Sequence, residues 1–225
     1  MRTRCLFARR SDARSRGVYR RSKPTPAVSA CAACAHAAKS HAVALNLVKV
    51  VIALAFPTVC FVVFNRFQEA RSGRDVTLAH MQPVVKPLNM RLHYNVDDAV
   101  RFWAALGDNG RRAEEAYLKL DLTFPLIYGG ALMISLGWLL MASGTTWRPW
   151  LVMLPVVVGM IGDWTENLIQ LDQLPRYMPS GPSGLDAGAI LQSSVATDIK
   201  LGGIAVASVV AFWLAGTLLT RSSSR

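Results

Sequence analysis

The chain has 225 residues, of which 52% are hydrophobic and only 17% are charged, and its formal net charge is +11. Average soluble domains carry roughly 25% charged residues. The apolar residues are gathered into four blocks of about 20, the length that a helix needs to cross a bilayer. This distribution excludes an ordinary soluble enzyme, a disulfide-stapled secreted module and a fully disordered chain. It predicts an all-α protein, a bundle of four transmembrane helices.

Residues 1–42 form a basic leader or tail, which we predict to be disordered. They contain ten Lys and Arg and one acid, Asp12, and so carry nine of the eleven net positive charges. A composition rich in Arg, Ser and Ala is typical of an organellar transit peptide, and equally of a tail that fixes membrane orientation. The first alternative implies a mitochondrial or plastid membrane, the second a plasma membrane. Both explain the charge without a nucleic-acid partner, and we expect none.

A C-x-x-C motif, Cys31 and Cys34, lies in this leader close to His36 and His41. Such residues are ligands for zinc or haem iron. The segment is rich in alanine, however, and Ala35 stands where a c-type haem site needs a histidine. We interpret the motif as small residues of the leader. No other metal, nucleotide or haem motif is present in the sequence, so we expect no metal and no cofactor.

The first predicted span covers residues 43–64, and residues 66–120 form a helical extramembrane segment after it. In that segment Asn95 is a predicted helix N-cap and Gly107 a predicted stop. Apolar residues between them recur at helical spacing, which predicts an amphipathic helix on the membrane surface or over the bundle. A second helix is expected from about Arg111 into the membrane.

Three further spans are predicted, and they complete a membrane domain over residues 43–220. They cover residues 122–141, 150–171 and 195–219, with a Pro- and Gly-rich loop at 172–192 and a polar tail at 221–225. Basic residues are concentrated on the side of the N-terminal tail, which predicts that both termini face the cytoplasm or its organellar equivalent.

A stripe of small residues follows one face of the fourth span, because Gly203, Ala207, Ala211 and Ala215 recur every four residues. Small residues at this spacing allow helices to approach closely. The stripe therefore indicates an assembly partner, either a second copy of the chain or another membrane protein. Membrane lipids are the other expected partners.

Polar residues inside the third span need an explanation, because ionisable groups there cost about 2.5 to 3.5 kcal/mol each. Asp163, Glu166, Asn167 and Gln170 stand at positions i, i+3, i+4 and i+7. This spacing places all four on one face of a helix.

The second and fourth spans open with further polar residues: Asp121 and Tyr128 in one, Asp198 and Lys200 in the other. In a four-span topology these helix ends and the polar part of the third span lie in the same leaflet, on the side of the extramembrane segment. The sequence thus predicts one polar cluster, comprising Asp121, Tyr128, Asp163, Glu166, Asn167, Asp198 and Lys200.

Several roles for the cluster remain open at the level of sequence. The acids and Lys200 could neutralise each other in a purely structural network. The cluster could bind a lipid headgroup or a cation. In an enzyme acting on a lipid or isoprenoid, Asp163 and Glu166 would be the candidate catalytic acid and base; a carrier for protons or cations is a further alternative. The sequence does not decide whether the protein is an enzyme.

The motifs in the last three spans resemble those of a group of small four-span integral membrane proteins of unknown function. The resemblance covers about residues 45–220 and implies the four-span fold and a site in the polar cluster, but no reaction. It is carried by Asp-x-x-x-Pro-x-x-Tyr at the second span (Asp121, Pro125, Tyr128), Asp-x-x-Glu-Asn in the third (Asp163, Glu166, Asn167) and Lys200 in the fourth.

Overall fold

The structure is a computed structural model that describes residues 26–81 and 85–224. The chain divides into two units, Met1–Ala38 and Lys39–Arg225, and the fold described below is that of the second unit. The described residues are helical with no strand. The α-helices are α1 (Pro26–Ser72), α2 (Arg74–His80), α3 (Val96–Asp121), α4 (Phe124–Ser143), α5 (Pro149–Ser180) and α6 (Ala187–Ser224).

Four segments of the described chain are long and apolar enough to cross a membrane, as the sequence predicts, and they are compatible with a multi-pass membrane protein. The segments are Val43–Ser72, Val96–Ser143, Pro149–Gly184 and Ala187–Arg221. The all-α four-helix architecture is therefore confirmed.

Helix α1 begins at Pro26, well before the predicted first span. Residues 26–42, which we expected to be disordered, are thus helical, and residues 1–25 lie outside the described residues. The physical reason is composition, because alanine has the highest intrinsic helix propensity and is the main residue of this stretch. The side chains of Cys31 and Cys34 also lie outside the described part of the chain.

The loop predicted at residues 172–192 is largely helical, which corrects that prediction. Helix α5 continues to Ser180, a 3₁₀ turn covers Gly181–Gly184, and α6 begins at Ala187. Proline in a helix interior normally costs about 3 kcal/mol. Here Leu174 and Tyr177, which stand on either side of Pro175, are buried. The packing of this apolar face outweighs the low helix propensity of proline.

The extramembrane segment contains α2, a 3₁₀ turn at Leu88–Met90 and the first part of α3. Asn95 caps α3 as predicted, since its side chain accepts from the Asp98 amide and the Asp98 carboxylate accepts from the Asn95 amide. The predicted stop at Gly107 is confirmed as a break in α3. Its backbone is non-helical, with φ +64° and ψ −178°, a conformation that favours glycine, and two helical parts meet at a kink there.

Two apolar clusters hold these elements together. The first lies between the spans and includes Val152 and Val156 of α5, Leu136 of α4 and Leu214 of α6. The second lies under the extramembrane segment and is centred on Trp103 of α3; its other buried members are Met81, Leu88, Tyr94, Ala99, Phe102, Leu106, Leu118, Leu174, Tyr177 and Ile190. The extramembrane segment is therefore packed onto the ends of α5 and α6.

The small-residue stripe of α6 is used inside the chain. Ala207, Ala211 and Ala215 are buried in the cluster between the spans. A Cβ atom on Gly203 would lie 2.6 Å from the Pro155 carbonyl oxygen of α5. The stripe thus serves contact between α6 and its neighbours in the same chain, and it no longer indicates a partner protein.

Candidate functional site

The polar face of α5 is buried along its whole length. Asp163, Glu166, Asn167 and Gln170 are all nearly inaccessible to solvent, and the relative exposure of Glu166 is 0%. The Asn167 amide donates to Oδ1 of Asp163 at 3.4 Å, and the Gln170 amide donates to Oε1 of Glu166 at 3.1 Å. Spacing along α5 alone accounts for this ladder, since each bond joins residues four positions apart.

Lys200 of α6 is the cation that faces the two acids of α5. Its ammonium donates to Oδ1 of Asp163 at 3.2 Å and to Oε2 of Glu166. All three side chains are buried. Because a buried charge is costly unless it is paired, the two helices are held in a register in which one ammonium serves both carboxylates.

Asp121 and Tyr128 approach this triad from the junction between α3 and α4. Asp121 is the last residue of α3, and Tyr128 lies in the second turn of α4. The junction is held against α5 by the Trp164 indole, whose Nε1 donates to the Leu122 carbonyl oxygen at 2.8 Å. Three segments thus contribute polar groups to one place, in agreement with the arrangement expected from the topology.

These groups face a cavity of about 390 Å³, which we call the polar cavity. Its polar wall includes Asp121, Tyr128, Asp163 and Lys200, whereas Glu166 lies behind Lys200 and is not part of the wall. The remaining lining residues come from α1, from the 3₁₀ turn of the extramembrane segment, and from α3, α4 and α6: Phe61, Asn65, Asn89, Met90, Tyr117, Phe124, Leu201 and Ile204.

One buried polar atom on the wall of the polar cavity, Oδ1 of Asp121, lacks a hydrogen-bond partner among the described residues. The Asp121 side chain is well buried, with a relative exposure of 2%. Leaving such an atom unsatisfied costs about 1 to 3 kcal/mol, so the cavity is chemically incomplete as the chain alone forms it.

A second opening, which we call the apolar crevice, adjoins the polar cavity and has a volume of about 370 Å³. Phe61, Tyr128 and Ile204 line both spaces. The crevice lies between α1, α4 and α6, and its other lining residues are Leu54, Pro57, Thr58, Leu132, Ser208, Ala211 and Phe212. The polar cavity therefore continues into a mostly hydrocarbon-lined space.

Asp198 does not belong to the cluster, which differs from the sequence-based expectation. Its carboxylate is paired with Nδ1 of His93 at 2.7 Å, and the His93 side chain is 87% exposed. Asp198 and Lys200 are two residues apart on α6. Residues at that separation do not face each other on a helix, so Asp198 lies on the other side of α6 from Lys200.

The sequence reasoning missed a buried network beyond Gln170. The Gln170 amide donates to Oη of Tyr94 at 3.3 Å, and Tyr94 Oη lies 2.6 Å from Oγ of Ser193. Burial, together with the nearby Glu166 carboxylate, raises the pKa of Tyr94 above its ordinary value of 10.0. Tyr94 precedes α3, where no periodic pattern marks it, and this explains why spacing did not reveal it.

A buried ion pair in the extramembrane part was missed as well. Nε of Arg74 lies 2.6 Å from Oε2 of Glu114, and the Arg74 guanidinium stacks 3.8 Å from the ring centre of Tyr117. Burial lowers the pKa of Arg74, but Glu114, Tyr117 and Asp121 together raise it by more, so the pKa lies above its ordinary value. Glu114, Tyr117 and Asp121 stand at i, i+3 and i+7, a spacing that could have identified this face of α3.

Across residues 26–81 and 85–224, no three His, Cys, Asp or Glu side chains are placed to share a metal ion. No protein-family model, curated protein or solved structure matches the chain. The resemblance to small four-span membrane proteins therefore stays a prediction from the motifs quoted above.

Proposed function

We propose that this multi-pass membrane protein binds an amphipathic lipid. The polar head of the lipid lies in the polar cavity and its hydrocarbon chain lies in the apolar crevice. The observation that carries the proposal is the unsatisfied Oδ1 of Asp121 on the cavity wall, together with the continuity of the cavity and the crevice through Phe61, Tyr128 and Ile204.

The dimensions of the two spaces support this role. Pockets for small molecules have volumes of roughly 300 to 1,000 Å³, mostly apolar walls and a few convergent polar groups. The polar cavity and the apolar crevice each reach the lower part of this range. A head that hydrogen-bonds to Oδ1 of Asp121 removes the cost of an unpaired buried atom, while the hydrocarbon chain covers the crevice residues.

The alternative of an enzyme with Asp163 and Glu166 as acid and base is less well supported by the geometry. Asp163 lines the polar cavity, but Glu166 is completely buried between Lys200 and Gln170. A general acid or base must come within hydrogen-bond reach of the reacting group. We therefore assign to Glu166 the role of holding Lys200, and to the cavity the role of binding.

The test is lipid retention by the purified full chain in mild detergent, measured by native mass spectrometry. Ser208→Phe fills the apolar crevice and should abolish retention of the lipid class that accompanies the wild-type chain. Ala205→Phe is the matched control, because Ala205 is exposed on the same helix and does not line the crevice. The proposal is wrong if both variants retain the same lipid in wild-type amounts.

A further inference from the structure

We infer that the head of the bound amphiphile is a cation, a primary or quaternary ammonium whose counter-ion is Asp121. This inference rests on the proposed function and specifies its ligand class. It is carried by the balance of charge around the polar cavity and by the aromatic composition of the cavity wall.

The charges around the cavity do not cancel. Lys200 is paired with both Asp163 and Glu166, so one ammonium already serves two carboxylates. Asp121 adds a third carboxylate and makes no ion pair with any of the described residues. The next cation, Arg74, is paired with Glu114 at 2.6 Å. The group formed by Asp121, Asp163, Glu166 and Lys200 thus has a formal charge of minus two when its carboxyl groups are ionised.

Four aromatic side chains line the polar cavity together with the carboxylates. Phe61, Tyr117, Phe124 and Tyr128 line the polar cavity. The ring centres of Phe61 and Phe124 are 5.0 Å apart, as are those of Phe124 and Tyr128. Aromatic faces attract cations, most strongly where water is excluded, and clustered rings are a recurrent binding site for quaternary ammonium groups.

The combination of aromatic rings and an unpaired carboxylate distinguishes between headgroups. An ammonium satisfies Oδ1 of Asp121, neutralises its charge and contacts the rings. A hydroxyl satisfies the hydrogen bond but leaves the charge. A phosphate would lie beside carboxylates that already outnumber the cations. Like charges in a medium of low dielectric constant repel each other strongly. The continuous apolar crevice requires that the cation carry a hydrocarbon chain.

The experiment compares three probes with the same hydrocarbon chain: tetradecylamine, tetradecanol and tetradecyl phosphate. The full-length protein is purified in dodecyl maltoside, a detergent without charge or ammonium group, and each bound probe is quantified by native mass spectrometry. We expect the amine to bind about tenfold or more tightly than the alcohol, because a desolvated cation–π contact and an ion pair together exceed one hydrogen bond. The phosphate should bind least.

Two variants and one control variant identify the side chains that cause the preference for the amine. Asp121→Asn keeps the shape of the side chain and should bring amine binding down to that of the alcohol, whereas Asp172→Asn, an exposed acid of α5, should leave both unchanged. Phe124→Leu keeps an apolar wall without the ring, and should weaken the amine more than the alcohol. Both comparisons use two probes on one variant, so a partial loss of folded protein affects the two equally.

The outcomes separate this inference from the proposed function. If the amine and the alcohol bind equally, and Ser208→Phe removes both, the protein binds amphiphiles and the cationic head is wrong. If the phosphate binds best, the head is an anion and the inference is likewise overturned. If no probe is retained above the level seen with Ser208→Phe, the proposed function fails and the cationic head fails with it.

Discussion

The Lys200 ammonium on α6 donates to Oδ1 of Asp163 on α5 at 3.2 Å, and it simultaneously serves the Glu166 carboxylate. One cation therefore stabilises two buried anions. Such an arrangement has an asymmetric energetic consequence, because loss of the cation leaves two charges unpaired in the interior, whereas loss of one acid leaves the other pair intact.

Replacing Lys200 with Met should lower the free energy of unfolding by about 3 to 5 kcal/mol, the usual cost of breaking a buried ion pair. The measurement is reversible unfolding in mixed micelles, followed by circular dichroism. Lys119→Met is the matched control, since the Lys119 side chain is 63% exposed in its pair with Glu115. Exposed pairs contribute about 0 to 1 kcal/mol. Equal losses in the two variants would contradict the buried triad.

Replacing glycine with alanine should change the stability of the protein in opposite directions at the adjacent positions 202 and 203 of α6. A Cβ on Gly203 would meet the Pro155 carbonyl oxygen at 2.6 Å and the Gly159 amide at 2.8 Å, whereas one on Gly202 would meet nothing within 4 Å. Gly203→Ala should destabilise the protein by about 1 to 3 kcal/mol through overpacking. Gly202→Ala should stabilise it by about 0.4 to 1 kcal/mol. Thermal unfolding of both variants tests the prediction, and the same sign for both contradicts it.

The capping box at the start of α3 should control local opening of the extramembrane segment. Asn95→Ala removes the acceptor for the Asp98 amide and should cost about 1 kcal/mol. Asn95→Ser keeps a side-chain oxygen at the cap and should cost little. Hydrogen exchange of the first turn of α3 measures the effect, with faster exchange in the Ala variant alone. Unchanged exchange in that variant would show that packing, not the cap, holds the turn.

Alkaline pH should weaken the folded state in part through Tyr94. Burial and the nearby Glu166 carboxylate raise its pKa above 10.0. The folded state therefore keeps its proton where the unfolded state loses it, so stability is fully present below the unfolded pKa and is lost as pH rises through the folded pKa. Tyr94→Phe gives up hydrogen bonds worth about 1 kcal/mol near neutral pH.

The measurement for Tyr94 is the difference in unfolding free energy between the wild-type chain and Tyr94→Phe at pH 7 and at pH 11. We expect the wild-type advantage to shrink at the higher pH, because only the wild-type chain has this proton to lose on unfolding. A difference that stays constant, or grows, between the two pH values would contradict the assignment. The comparison cancels the contribution of the other tyrosines.

The architecture and much of the site could be predicted from the sequence, because both depend on the regular spacing of apolar and polar residues along the helices. The four apolar blocks define the spans, and the i, i+3, i+4, i+7 pattern from Asp163 to Gln170 places these residues on one buried face. The same geometry corrects the inclusion of Asp198. Nearness in the chain suggested that it accompanies Lys200, but two positions on a helix correspond to about 200° of rotation.

Other parts of the site could not be obtained from spacing. Asn89 and Met90 reach the polar cavity from a 3₁₀ turn, and the position of a turn depends on how the extramembrane segment packs. Arginine is usually exposed, yet Arg74 is buried against Glu114 and Tyr117. Such contacts join residues about forty positions apart and become visible only when the fold is known.

The missing side chain of Gly162 has a consequence for the neighbouring charges. A Cβ there would lie 2.7 Å from the Ala196 carbonyl oxygen and 2.8 Å from the Lys200 amide nitrogen. The main chain that carries Asp163 is thus seated directly against the main chain that carries Lys200. A translation of one helix along the axis of the other would separate the Lys200 ammonium from its two acids. Contact between the main chains resists this translation more than contact between long, flexible side chains would. The backbone contact at Gly162 therefore fixes the position of Lys200 relative to Asp163.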